Sequence, residues 1–224
     1  MPQHKINFGL GDHWLVVGST GTGKTTVGKY ILKALHNASN GAVKVFVLDT
    51  KISGDFTEFY QKKGIGCVYT GDEHPPLQNK DGSPFIVWQP ESDDLDNYDA
   101  FFEKIYRDRK PCVVYIDEIS SILGSHGTSK KFYKVLLKQG RSLGISVFTN
   151  TQMARWLPSE TLTQAMHSIL MRVTSVKDEK VMADIFDSYA KKDISHQHGF
   201  FYRDLRKPLK GNPPVYYKNV KELF

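Results

Sequence analysis

Short apolar runs ending in polar or glycine-rich turns alternate along this chain with segments whose apolar residues recur at helical spacing. Residues 14–17 are wholly apolar and run into glycines; Val27, Ile31, Leu32 and Leu35 then repeat within 24–36, which predicts a buried strand, a loop and a helix. The same order returns with an apolar run at 42–48 ending in Asp49, and a short helix at 55–62 that turns Phe56, Phe59 and Tyr60 inward. Strand-like pieces follow at 67–69 and 86–88, separated by a polar excursion with Pro75, Pro76, Gly82 and Pro84. A helix opening at Asp93 carries acids in its first turn and Lys104, Arg107 and Arg109 in its last, and Pro111 stops it. Beyond it come a strand at 112–116, a helix through Phe132, Val135, Leu136 and Leu137, and a strand at 145–148. A helix at 159–166, a strand at 169–173, a helix at 177–186 and terminal strands at 200–203 and 215–217 complete the reading. Apolar strands in strict alternation with helices predict an α/β fold with a mostly parallel central sheet flanked by helices.

Composition narrows the class. The 224 residues, 40% hydrophobic and 24% charged, fit one soluble globular domain over 1–224, with a core at about 13–186 and a basic C-terminal extension at about 191–224. No long uncharged apolar window and no apolar stretch behind the first basic residue are found, so neither a membrane span nor a secretory signal is expected. Cys67 and Cys112 sit in apolar runs without metal or redox spacing and read as reduced core residues. The net charge of +6 is unevenly placed. From Lys191 onward eight basic residues face three acidic ones, whereas Glu91, Asp93, Asp94, Asp96 and Asp99 form an acidic stretch that cannot face a polyanion.

Chemistry concentrates at the strand ends. Gly18, Ser19, Thr20, Gly21, Thr22, Gly23, Lys24 and Thr25 fit the P-loop pattern GxxxxGK[ST] where a strand ends and a helix begins, with Thr26 continuing into the helix. Such a loop wraps its N–H groups around phosphates; Lys24 neutralises the β and γ charge of ATP and the Thr25 hydroxyl ligates Mg²⁺. Asp117, ending the strand at 112–116, supplies the second metal group, and Glu118 is placed to accept a proton from water. Asn150 or Gln152, at the next polar strand end, can touch the γ-phosphate, Gln152 being preferred. Arg141 reads as an arginine finger or as a basic residue complementing a helix C-terminus.

The order of P-loop, Val47-Leu48-Asp49-Thr50-Lys51, Tyr115-Ile116-Asp117-Glu118, Gly140-Arg141-Ser142-Leu143-Gly144 and Thr149-Asn150-Thr151-Gln152 resembles the FtsK–HerA superfamily of ring-forming DNA motors. Within it, the short chain is similar to genome-packaging ATPases of tailless icosahedral viruses with an internal membrane, of the archaeal turreted type. The resemblance implies a RecA-like core, a homo-oligomeric and hexameric ring, ATP hydrolysis at subunit interfaces and double-stranded DNA in the centre. It further implies Asp117 and Glu118 as metal ligand and base, Gln152 as sensor, Arg141 acting in trans, capsid or portal-vertex partners, and a place in host cytoplasm and virion. Cellular members carry a DNA-recognition or membrane module that nothing here resembles. A cellular or plasmid DNA pump, a P-loop nucleotide kinase and a non-hydrolysing assembly module are the alternatives.

Three further features have readings of their own. The loop from Gly124 through Ser125 and Thr128 to Lys130 and Lys131 follows the Asp-Glu strand and could grip DNA phosphates without reading sequence. His196-Gln197-His198 reads as a polar turn, and the aromatic run before Arg203 as core, with base stacking as its alternative.

Overall fold

The computed structural model describes residues 9–51, 56–124, 128–194, 196 and 198–223, the side chain of Phe59 apart. Among these, β1 (Trp14–Val17), β2 (Lys44–Leu48), β3 (Gly66–Thr70), β4 (Phe85–Gln89), β5 (Cys112–Ile116), β6 (Ile145–Thr151), β7 (His167–Leu170), β8 (Phe200–Asp204) and β9 (Val215–Tyr217) form one sheet. Its order is β3-β4-β2-β5-β6-β1-β7-β8-β9. Pairing is parallel from β3 across to β7 and antiparallel from β7 to β9. The α/β, mostly parallel architecture expected from the alternation is therefore the one found.

Among the described residues five α-helices cover the sheet: α1 (Lys24–Ala38), α2 (Leu95–Asp108), α3 (Lys131–Gln139), α4 (Ser159–Gln164) and α5 (Val176–Phe186). Strand side chains alternate between faces. Trp14 and Val16 of β1 pack with Val27, Ile31 and Leu32 of α1, while Leu15 and Val17 pack with Met182, Ile185 and Phe186 of α5. Val114 and Ile116 of β5 join Phe101, Phe102 and Ile105 of α2 and Leu136 and Leu137 of α3 in a third cluster. Asp94 caps α2 by accepting from the Asp96 amide, and Arg109 ends it in the left-handed region at φ 52°.

Several local expectations are corrected. The helix expected over 55–62 is a single π turn, Thr57–Gln61, with Phe56 and Tyr60 buried as foreseen; Asp55 and the Phe59 side chain lie outside the described residues. The strand expected at 169–173 begins earlier because His167 is satisfied inside: its Nδ1 lies 2.8 Å from the Tyr202 hydroxyl and its Nε2 3.1 Å from Asp12. The fourth helix stops at Gln164 rather than Met166. Cys112 is buried, and burial pushes its thiol up to about 12, whereas Cys67 is only half-buried beside Asp81 and Ser83. Most consequential is the basic extension. Arg203 is buried and donates to the carbonyls of Ile185 and Leu209 and to Asp187, while Arg206 pairs with Asp204 and, at 3.0 Å, Asp12. Those two guanidinium groups hold the fold together and are not a free basic surface. The core reading of the aromatic run holds, with Phe200, Phe201 and Tyr202 all buried.

Candidate active site

Parallel strands carry their carboxyl ends to one edge of a sheet, and loops leaving that edge enclose the crevice. Register brings the relevant ends level: Val17 of β1 lies beside Thr151 of β6, Thr149 of β6 beside Ile116 of β5, and Ile116 beside Leu48 of β2. The residues immediately following these positions are the P-loop, Gln152, Asp117 with Glu118, and Asp49 to Lys51. Four segments far apart in the chain thus converge.

The loop enters α1 through Gly23, whose φ of 98° only glycine adopts without strain. The Thr22 hydroxyl donates to the Ser19 carbonyl at 2.8 Å and the Ser19 amide donates to the Arg172 carbonyl at 2.9 Å, so the loop is tied to itself and to the end of β7. Lys24 is buried, and its ammonium donates to the carbonyls of Gly18 (2.7 Å) and Ser19 (3.1 Å). Burial, reinforced by the nearby charge of Lys51, lowers its pKa to about 8 against the opposing pull of Glu118 and Asp117.

Thr25 donates its hydroxyl to Asp117 Oδ1 at 2.9 Å. A hydroxyl and a carboxylate in contact are the hard oxygen donors Mg²⁺ takes, with water and substrate phosphate completing its octahedron, so the residues fit the ion. Glu118 is buried, accepting from the Ser120 hydroxyl (3.0 Å) and the Gln152 amide (3.4 Å). Gln152 Oε1 accepts from the Thr20 hydroxyl at 2.6 Å, which puts Gln152 against the phosphate loop. Asn150, the alternative at that strand end, is fully buried with its amide turned to the Tyr115 hydroxyl.

Arg141 does not join this group. It lies in a single 3-10 turn between α3 and β6, exposed, at the amino end of β6. The seven residues of β6 span about 23 Å between it and the crevice. Of the loop expected to grip DNA, the described residues are 124 and 128–131. An antiparallel bridge between Leu123 and Ser129 closes it, the Lys130 ammonium pairs with Asp96 at 2.8 Å, and Asp99 accepts from the Phe132 amide. Lys130 therefore faces the acidic stretch, where a phosphate is repelled; Ser125 lies outside the described residues.

Two residues were given no role from sequence. Lys51 places its ammonium 3.7 Å from Asp117 and 3.5 Å from Glu118, bridging both carboxylates. Its position two residues beyond the strand-terminal Asp49 was the available signal. His198, read as part of a polar turn, rests its Nδ1 3.3 Å from the Thr22 carbonyl oxygen; nothing in local spacing links it to a loop so distant in the chain.

A strand-ended phosphate loop with a Thr–Asp pair and an adjacent buried Glu defines a P-loop ATPase, and the chain belongs to the ATPase family associated with various cellular activities (AAA), whose model matches residues 14–172. Its fold is similar to that of B204, the DNA-packaging ATPase of Sulfolobus turreted icosahedral virus: TM-score 0.71 and 17% identity over 95% of this chain and 99% of that one. The genome packaging NTPase B204 of Sulfolobus turreted icosahedral virus 2, in complex with ATP-gammaS, gives a TM-score of 0.68 at 18% identity over 96% of this chain and 100% of that one. VirB4 of Thermoanaerobacter pseudethanolicus gives 0.66 at 11% identity over 92% and 89%. No curated protein matches the chain in sequence. The solved relatives include packaging ATPases of the kind the motif order resembles, and at these identities the likeness is one of fold.

Proposed function

We propose that the chain is a Mg²⁺-dependent ATP hydrolase that drives double-stranded DNA, packaging a viral genome into a preformed capsid. The observation that carries the hydrolase reading is the Glu118 carboxylate, held beside the Thr25–Asp117 pair and against the Gln152 amide. There it takes the proton of a water whose oxygen attacks the γ-phosphorus while the bond to the bridging oxygen of ADP breaks. Lys24 neutralises the phosphates, Gln152 contacts the γ-phosphate, and Mg²⁺, when bound by Thr25 and Asp117, offsets charge on the phosphate oxygens.

The exposed Arg141, at the far end of β6, supports assembly into a homo-oligomeric ring, hexameric in this reading. Its own crevice is out of reach, so a finger role requires a neighbouring copy. DNA as cargo rests on the motif order and on the fold shared with packaging ATPases. The same reading gives the ring capsid or portal-vertex partners and a place in host cytoplasm and at the virion's packaging vertex. The deciding experiment measures ATPase rate with and without duplex DNA, together with solution mass. Stimulation by duplex in an oligomer is expected; a DNA-indifferent monomeric ATPase would remove the motor and leave the hydrolase.

A further inference from the structure

Asp117 and Glu118 leave β5 side by side and both are buried, and neighbouring buried carboxylates need positive charge close by. The chain supplies it from the end of β2. Lys51, two residues beyond Asp49, lies 3.7 Å from Asp117 Oδ2 and 3.5 Å from Glu118 Oε2. Lys24 is near enough for its own pKa to feel all three groups, but its ammonium is turned to the carbonyls of Gly18 and Ser19. Two carboxylates and two ammonium groups thus leave this part of the crevice neutral before any nucleotide arrives. The Asp117 carboxylate is divided between partners: Oδ1 takes the Thr25 hydroxyl and Oδ2 faces Lys51. The Lys51 side chain is 36% exposed, so its flexible stem can swing the charge out to solvent without unpacking the core.

We propose that Lys51 stands in for the divalent cation until nucleotide binds, so that Mg²⁺ enters the site with the triphosphate and not before it. The inference rests on the reading of Thr25 and Asp117 as the residues that hold the metal. A divalent ion at that pair would lie beside an ammonium already drawn to the same carboxylate, and like charges that close repel strongly in a buried crevice. A triphosphate changes the balance, since its negative charge is shared by the ion and both lysines. Lys51 is also a positioning residue for Glu118. An ion bound without nucleotide would meet two adjacent carboxylates, and hard cations take carboxylate oxygens as ligands. A Glu118 captured in that way no longer accepts a proton from water. Its partners, Lys51, the Ser120 hydroxyl and the Gln152 amide, keep it from becoming a ligand.

Mn²⁺ tests this without turnover, because carboxylate and water ligands suit it as they do Mg²⁺, and equilibrium dialysis counts the ion retained with the chain. The wild-type chain should retain Mn²⁺ weakly alone and at least about tenfold more tightly with ATP-gammaS. Without nucleotide, Lys51→Met and Lys51→Gln should each bind Mn²⁺ about tenfold more tightly than the wild type, whereas Lys51→Arg, which keeps the charge, should not. Adding Asp117→Asn to Lys51→Met should abolish the gain, which assigns it to this site. Retention of Mn²⁺ with ATP-gammaS by each single variant reports an intact crevice. Wild-type Mn²⁺ affinity in both neutral variants, or a gain that survives Asp117→Asn, would overturn the inference. Failure of the underlying reading looks different: ATP-gammaS would then bring no Mn²⁺ onto the wild type, or Asp117→Asn would retain Mn²⁺ with ATP-gammaS as tightly as the wild type does.

Discussion

Lys24 turns its ammonium onto carbonyl oxygens of its own loop, and burial lowers its pKa to about 8, well below that of a free lysine. Phosphate binding favours the charged form, so ATP affinity should fall as pH rises through 8, by up to about tenfold per unit. Lys24→Arg, charged throughout, should flatten that limb, and equilibrium binding between pH 7 and 10 reads both. Lys24→Ala and Glu118→Gln should each abolish hydrolysis for different reasons, the first by losing nucleotide and the second while still binding it. Wild-type turnover in Glu118→Gln would remove Glu118 as the base. Lys51 is the cation between the two buried carboxylates, and without it Asp117 and Glu118 repel each other. Lys51→Ala should therefore slow hydrolysis by ~10-fold or more, whereas Lys207→Ala, at an exposed position, should not.

Among the elements, α1 matters most because it carries the phosphate loop onto the sheet. It approaches β5 so closely that a Cβ on Gly28 would overlap the Tyr115 ring and hydroxyl. Alanine is worth about 1 kcal/mol over glycine inside a helix, yet overpacking costs about 1–3 kcal/mol, so Gly28→Ala should lower stability overall. Urea unfolding measures it; a stabilised variant would mean that α1 can slide without cost. Legibility in sequence differed between elements for the same reason of contact. β5 and α1 were clear because apolar spacing alone marks a buried strand or helix face. The π turn at 57–61 and the early start of β7 were not, since both depend on partners across the fold, Tyr60 stacking on Phe85 and His167 bonding to Asp12.

On the scale of the whole molecule, the end of the sheet opposite the crevice is closed by buried histidines. His13 places Nε2 2.9 Å from the Leu137 carbonyl and accepts from the Val147 amide; His167 sits between Asp12 and Tyr202, with Arg206 and Asp204 nearby. Burial holds both pKa values below the usual 6.5. As pH falls below 6.5 the unfolded chain takes up protons that the native one refuses, so stability present at pH 7.5 should decline toward pH 5. Thermal midpoints across that interval give the sign, and a midpoint that rises on acidification would mean the histidines are charged in the native state. Assembly is testable by mixing Arg141→Ala with Glu118→Gln subunits. If the finger acts across an interface, combining two inactive variants should restore hydrolysis at some sites; a mixture without activity would remove Arg141 as a finger and leave it a structural residue.

Chain order alone was enough for the strand–helix alternation, the phosphate loop and the strand-ending Asp117 and Glu118, because backbone period and loop chemistry are local properties. Distance in the fold decided the rest. Register in a parallel sheet, which no short window encodes, set Gln152 beside Thr20 and Asn150 beneath Tyr115. Charge counts could not separate the paired arginines at 203 and 206 from a free basic surface, nor show that Lys130 faces Asp96, because a charge acts through its partners. Likewise only the return of the C-terminal segment across α1 brings His198 and Val220 to the phosphate loop, since a wall built from both ends of a chain exists only once the chain is folded.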